Sequence, residues 1–290
     1  MGAGRTRMPP RSTPTARQRR LGSELRKMRL AAGLTTESTA KLLGVPRTNL
    51  PNMESGRSGI SPDRVRVLAG HYGCTDMRWV DALAAMASER GKGWWESYRD
   101  ELPELALDLA EYEHHATGHR SFEVVHIPGL LQTEDHIRAM FSYAYPTRKS
   151  SEIENLVSFR MGRRTVIERE VPVEFDTIVH EAALRIKVGS RKTTRAQLRH
   201  ILAMTERSNV TVRVIPFDTE GFAGAGSAML YLAAAVPQLD TVQFDTAHGS
   251  IILDDDAQLR RYQDRLTKIA RSALAPRESL DMIHRIAEET

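Results

Sequence analysis

Between Gly33 and Gly56 the chain passes from helix-starting to helix-ending residues within a few positions at a time, and this spacing leaves room only for short helices joined by tight turns. Thr35 to Leu43 opens on a residue suited to an N-cap, carries Glu37 in the first turn near the positive helix end, and stops at Gly44. Gly44 can take the left-handed conformation of a tight turn, and the methyl of Ala40 lets a following helix cross closely, with Val45 and Leu50 filling the corner. The next helix is expected from about Arg47 to Ser55. Leu50 and Met53 face inward, and Arg47, Thr48, Asn49 and Asn52 are left outside. Pro51 leaves its start open. A helix begun at Arg47 would be strained by a proline past the first turn, whereas one begun at Asn49 tolerates it and leaves Arg47 and Thr48 in the turn.

The flanks complete an all-α module over residues 17–86. Leu21, Leu25, Met28 and Ala32 lie on one face of a helix that ends at Gly33, and Ser61-Pro62 starts another that sends Val65, Leu68 and Ala69 inward. Residues 1–16 read as a disordered basic arm, and residues 87–93 as a linker. The first twenty residues carry six arginines and no apolar stretch of the secretory kind. Those arginines, Arg5, Arg7, Arg11, Arg17, Arg19 and Arg20, either follow the phosphates or a minor groove, or form a solvated tail.

Charge separates the two parts. Residues 1–93 hold 17 Lys and Arg against 7 Asp and Glu, a balance of +10, which leaves 24 against 30, or −6, for residues 94–290. A basic module on an acidic body points to a polyanion as partner of the first part only. The one cysteine, Cys74, excludes an intrachain disulfide framework and a multi-cysteine zinc site. The longest apolar run, Ala228 to Val236, is nine residues, against the roughly 20 that a spanning helix needs, so a cytoplasmic protein without a membrane partner is expected.

The combination Gly33-Leu34-Thr35, Ala40, Leu43-Gly44-Val45 and Met53-Glu54-Ser55-Gly56 resembles the helix-turn-helix of the phage lambda repressor and Cro family, of the xenobiotic-response-element type. The resemblance implies double-stranded DNA as partner, a homodimer on a palindrome, and a third helix in the major groove. It makes Thr36 a backbone or outer base contact, Arg47, Thr48 and Asn52 the main groove readers with Asn49 beside them, and Arg57 a further DNA-binding residue. It also implies a structural pair between Arg29 and Glu54. The family usually has Gln where Thr36 stands, which shortens that reach.

Downstream the pattern mixes periods. Trp94, Trp95 and Tyr98 begin a helical stretch to about Ala116; helices follow at about Gln132–Tyr143, Ser151–Ile167, Thr194–Glu206, Asp255–Ser272 and Pro276–Glu288, with strands near Val173–Val179, Val210–Ile215, Ser227–Ala233, Thr241–Phe244 and Ser250–Leu253. The chain is therefore multidomain: an all-α helix-turn-helix domain followed by an α/β (α+β) domain over residues 94–290.

Pro128-Gly129-Leu130-Leu131-Gln132-Thr133, His180-Glu181-Ala182-Ala183-Leu184-Arg185, Gln197-Leu198, Val212 to Phe217 and Ala275-Pro276-Arg277-Glu278-Ser279 resemble a domain of unknown function found behind helix-turn-helix modules in actinomycete, WhiJ-like regulators. The resemblance implies action with a small protein encoded nearby, in toxin-antitoxin-like or regulator and anti-regulator pairs. It supplies no catalytic residues.

The residues add none. His180-Glu181-Ala182-Ala183-Leu184 has Leu where a zincin needs its second His, and His114, His115, His119 and His126 place at most two rings on one helical face. Gly221, Gly224 and Gly226 precede a strand and read as a turn, while Asp254, Asp255 and Asp256 sit where a helix starts and needs capping. Arg160, Arg163 and Arg164 share a helix, as a solvated, carboxylate-paired face or as an anion site. The expectation is a sequence-specific transcriptional regulator, not an enzyme, without cofactor or metal, whose C-terminal domain senses a protein partner or ligand. The alternative is an antitoxin-like protein that sequesters a small partner and autoregulates its operon.

Overall fold

The computed structural model describes residues 14–89, 93–220, 228–246 and 249–290. The chain divides into two compact units, Met1–Gly93 and Trp94–Thr290. Arg5, Arg7 and Arg11 of the expected arm, and the expected turn at Gly221, Gly224 and Gly226, lie outside the described residues.

The first unit contains five helices among its described residues: α1 (Ala16–Ala31), α2 (Thr36–Leu42), α3 (Asn49–Glu54), α4 (Pro62–His71) and α5 (Met77–Ser88). Each of four starts is chemically marked. Thr15 and Gln18 form a reciprocal capping box, Thr35 and Ser38 another, Ser61 accepts from the Arg64 amide ahead of Pro62, and Asp76 accepts from that of Trp79. Leu21, Leu25 and Met28 of α1, Leu50 and Met53 of α3, Val65 and Leu68 of α4 and Val80 and Leu83 of α5 form the core. Ala32, expected inward, is the exposed C-cap of α1.

Two boundaries differ from the sequence reading. Thr15 and Ala16, expected in the arm, belong to the start of α1, and Arg17, Arg19 and Arg20 are helical. Arg17 forks onto Glu89 at 2.8 and 3.0 Å, Arg19 donates to the Pro14 carbonyl, and Arg20 pairs inside the core with Glu24 at 2.9 Å. The helix α5, not foreseen as an element, carries the chain to Ser88, because Ala82-Leu83-Ala84-Ala85-Met86-Ala87 is a run of strong helix formers. It takes in Ala87 and Ser88 of the linker expected at residues 87–93, of which residues 90–92 lie outside the described residues.

The second unit is built on a mixed sheet of order β3-β2-β1-β4-β5-β6, from β1 (Gly118–Glu123), β2 (Glu174–His180), β3 (Val210–Ile215), β4 (Met229–Ala233), β5 (Thr241–Thr246) and β6 (Gly249–Leu253). The pairs β1–β2 and β2–β3 are parallel, the others antiparallel. Helices α6 (Glu104–His115), α7 (Glu134–Ala144), α8 (Ser150–Glu168), α9 (Glu181–Arg185), α10 (Arg191–Met204), α11 (Asp256–Arg271) and α12 (Pro276–Glu289) surround it. On one face Phe122, Ile178, Met229 and Val242 pack against Leu259, Leu266 and Ile269 of α11. On the other, Phe175, Val179, Val212 and Val214 pack against Leu198 and Ile201 of α10 and Ile283 and Ile286 of α12. This is an α/β layer arrangement.

Here too the sequence misplaced particular elements. The helix expected from Trp94 to Ala116 is a short 3-10 turn, Trp94–Tyr98, and then α6, because Pro103 stands just ahead of Glu104 and cannot continue a preceding helix. The central strand β1 and the short α9 were not foreseen.

Candidate nucleic-acid interface

Local chemistry places the second and third helices. Thr36, half-buried, is the first residue of α2, and Glu37 and Lys41 pair on its exposed face at 3.4 Å. Gly44 has φ +62°, and the Val45 amide returns to the Ala40 carbonyl at 3.1 Å, which turns the chain sharply after α2. Pro46 to Asn49 forms a further turn, closed by the Asn49 amide on the Pro46 carbonyl at 2.9 Å. The helix α3 then starts at Asn49 and ends at Glu54, shorter at both ends than the expected Arg47–Ser55. Pro51 is its third residue, where an amide has no intrahelical acceptor to lose.

This start sorts the side chains. Leu50 and Met53 are buried, Arg47, Thr48 and Asn49 are exposed, Asn52 is half-buried, and Arg57 is exposed beyond the helix. Among the described residues none of Thr36, Arg47, Thr48, Asn49, Asn52 and Arg57 spends its side chain on a hydrogen bond or ion pair. These side chains thus offer guanidinium, amide and hydroxyl donors that no described residue uses. Arg can pair bidentately with guanine and Asn with adenine.

The back of α3 is fixed by charge and by glycine. Arg29 Nε and Nη2 donate to the Glu54 carboxylate at 2.5 and 2.9 Å, and Nη1 to the Leu34 carbonyl at 2.8 Å. The Glu54 hydrogen bonds hold the guanidinium above its ordinary pKa, against burial. Gly22 of α1 lies under the same helix end, where a Cβ would stand 2.5 Å from the Glu54 carbonyl oxygen.

In the second unit His180 Nδ1 accepts from the Ala182 amide and caps α9, and Asp255 caps α11 through the Ala257 and Gln258 amides. Among the described residues no three His, Cys, Asp or Glu side chains gather as metal ligands. Of the arginines grouped on α8, Arg163 forks onto Glu113, Arg164 reaches Glu168 and His200, and among the described residues Arg160 bonds only Gln132. That difference was invisible in the spacing.

Residues 106–285, more than half of the chain, match the family described as a domain of unknown function (DUF5753). The chain belongs to that family. Residues 20–79 match a helix-turn-helix domain, so in this DUF5753 protein the first unit is the DNA-binding module of a regulator. Neither a curated protein nor a solved structure matches. Among the described residues of the DUF5753 protein no helix is long and apolar enough to cross a membrane.

Proposed function

We propose that this protein is a sequence-specific, cytoplasmic transcriptional regulator that binds a palindrome as a homodimer, in the manner of the phage repressor family. Arg47, Thr48, Asn49 and Asn52 read base edges, and Thr36 and Arg57 hold phosphates. The DUF5753 domain is a receiver without catalytic chemistry. The observation that carries the reading is the unspent polar surface at the start of α3, on the unit with a balance of +10. The test is selection of a binding site from random DNA with the full chain, followed by footprinting. Two half-sites about one helical turn apart are expected, and failure to enrich any sequence overturns the reading.

A second reading, an antitoxin-like protein that sequesters a small partner and represses its own operon, is favoured by Tyr143 and Tyr145, which stand 70% and 43% exposed at the end of α7. Exposed aromatic side chains of this kind suit protein contacts. Co-purification from the native cell with a single short protein, and occupancy of one promoter only, would favour it.

A further inference from the structure

One face of the sheet changes character half-way across. Ser121, Leu230, Gln243 and Ile252 stand in one row across β1, β4, β5 and β6. By the alternation of a pleated strand, His119, Ser121 and Glu123 therefore share a face with Thr241, Gln243 and Asp245. On β2 and β3 the same face carries Phe175, Val179, Val212 and Val214, sealed under α10 and α12. Where that apolar half ends, Arg160 and Arg163 of α8 come close enough to Glu113, Glu123 and Asp245 to feel their charge.

Among the described residues these five charges form a single ion pair. Arg163 forks onto Glu113 at 2.6 and 2.7 Å. Arg160 lies over the Phe141 ring and donates Nη1 to Gln132 Oε1 at 2.8 Å, and among the described residues it makes no ion pair. Most donors of its guanidinium stay uncommitted. Glu123 has no hydrogen-bond or ion-pair partner among the described residues, and Asp245 is held by the neutral donors Gln243 and Ser250 at 2.7 and 2.5 Å. Among the described residues His136 of α7, 4% exposed, has no hydrogen bond at Nδ1, beside the Arg160 charge. Burial, aided by Asp245, pushes the Glu123 carboxyl up to about 8 against the pull of Arg160 and Arg163.

Arg160 and Glu123 are half-buried and Asp245 is exposed, and charges drawn even partly out of water are costly unless paired. An uncommitted guanidinium beside two carboxyls that it does not bond is a mismatch that a molecule carrying both signs resolves. An anion alone would meet Glu123 and Asp245, and a cation alone Arg160 and Arg163. We propose that this recess, walled by β1, β5, α7 and α8, binds a small zwitterion of amino-acid type, its carboxylate on Arg160 and its ammonium on Glu123 and Asp245. The inference rests on the receiver reading above and names the signal received.

The test is calorimetric titration of the full chain with the proteinogenic L-amino acids, one at a time, each binder beside its des-amino acid and its decarboxylated amine. At least one amino acid binds, and neither half does. Arg160→Gln weakens binding by roughly tenfold or more, as loss of a charge-assisted bond implies, and Arg160→Lys, which keeps the charge without the fork, falls between. An ammonium favours ionised Glu123, so binding expels a proton, and affinity rises with pH up to about 8 and then levels. Besides Glu123, the charged and titratable groups around the site are Glu113, His119, His126, His136, Arg160, Arg163 and Asp245, and the near-isosteric Glu123→Gln isolates its share by removing this pH dependence. Binding by no amino acid, binding by the des-amino acid alone, or affinity unchanged in both Arg160→Gln and Glu123→Gln overturns the proposal. Amino-acid binding that leaves operator affinity unchanged keeps this site and overturns the receiver reading; a change in operator affinity caused by a protein partner, with no amino acid bound, does the reverse.

Discussion

The Glu54 carboxylate, at the last residue of α3, is clamped by the Arg29 guanidinium of α1 at 2.5 and 2.9 Å, with both side chains under a tenth exposed. The clamp joins the end of the third helix to the turn after the first, since Arg29 also holds the Leu34 carbonyl. Arg29→Met leaves a buried carboxylate without its partner and is expected to destabilise the first unit by roughly 3–5 kcal/mol, whereas Arg29→Met with Glu54→Leu recovers most of that loss. Thermal unfolding of the full chain checks both, and equal melting temperatures for the single and double variants would refute the clamp.

Two glycines make a matched pair. A Cβ on Gly22 would stand 2.5 and 2.6 Å from the Glu54 and Met53 carbonyl oxygens, whereas one on Gly70 of α4 meets nothing within 4 Å. Gly22→Ala is expected to cost about 1–3 kcal/mol despite the better helix propensity of alanine. Gly70→Ala is expected to stabilise by about 0.5–1 kcal/mol. Opposite signs in denaturant unfolding are the expected outcome.

Pro51, the third residue of α3, sacrifices no intrahelical hydrogen bond there. Pro51→Ala should therefore change stability by less than about 1 kcal/mol, mostly through the unfolded chain. A gain near 3 kcal/mol, the cost of proline in a helix interior, would place the helix start earlier than Asn49.

On DNA, Arg47 and Arg57 are expected to behave differently. Arg47→Ala should cost roughly 1–3 kcal/mol on the selected site and relax preference at one position. Arg57→Ala should weaken selected and random DNA alike and reduce the salt slope by about 0.9. Titrations at several salt concentrations separate the two, and the reverse pattern would exchange their roles.

The recess predicts how stability follows pH. Glu123 binds its proton more tightly in the folded chain, up to about 8 from an ordinary 4.5, so the folded state holds the extra proton between those values. Its contribution is therefore lost as pH rises through about 8. His136 is held down near 4 from 6.5, chiefly by burial, and its contribution is lost as pH falls from 6.5 towards 4. Glu123→Gln should flatten the alkaline side of the melting-temperature profile and His136→Gln the acid side. A wild-type profile flat from pH 4 to 9 would contradict both.

What the sequence determined by itself is whatever local chemistry decides. Thr35, Gly44, Ser61 and Pro62 mark helix starts and stops through their own side chains and backbone freedom, and the structure places α2 and α4 where they direct. Val210–Ile215 alternates cleanly and is β3 over those same residues, because one of its faces is buried by apolar packing and the other less so. The exposure of Arg47, Thr48 and Asn49 beside buried Leu50 and Met53 was legible for the same reason, since a tight turn and one short helix carry their own inside and outside.

The tertiary structure alone decided what distant segments do to each other. Gly118-His119-Arg120-Ser121-Phe122-Glu123 has a single large apolar side chain and no apolar alternation, yet it is the strand on which parallel and antiparallel halves of the sheet meet. Its backbone is satisfied by β2 and β4, and its buried Ser121 hydroxyl by Thr177 at 2.7 Å, partners that no local pattern announces. Likewise Arg160, Arg163 and Arg164 look alike on one helix, and only Glu113, Gln132 and Glu168 distinguish them. A strand inside a sheet draws its stability from neighbours far along the chain, and a charged side chain its meaning from whichever partner the fold brings within hydrogen-bond reach.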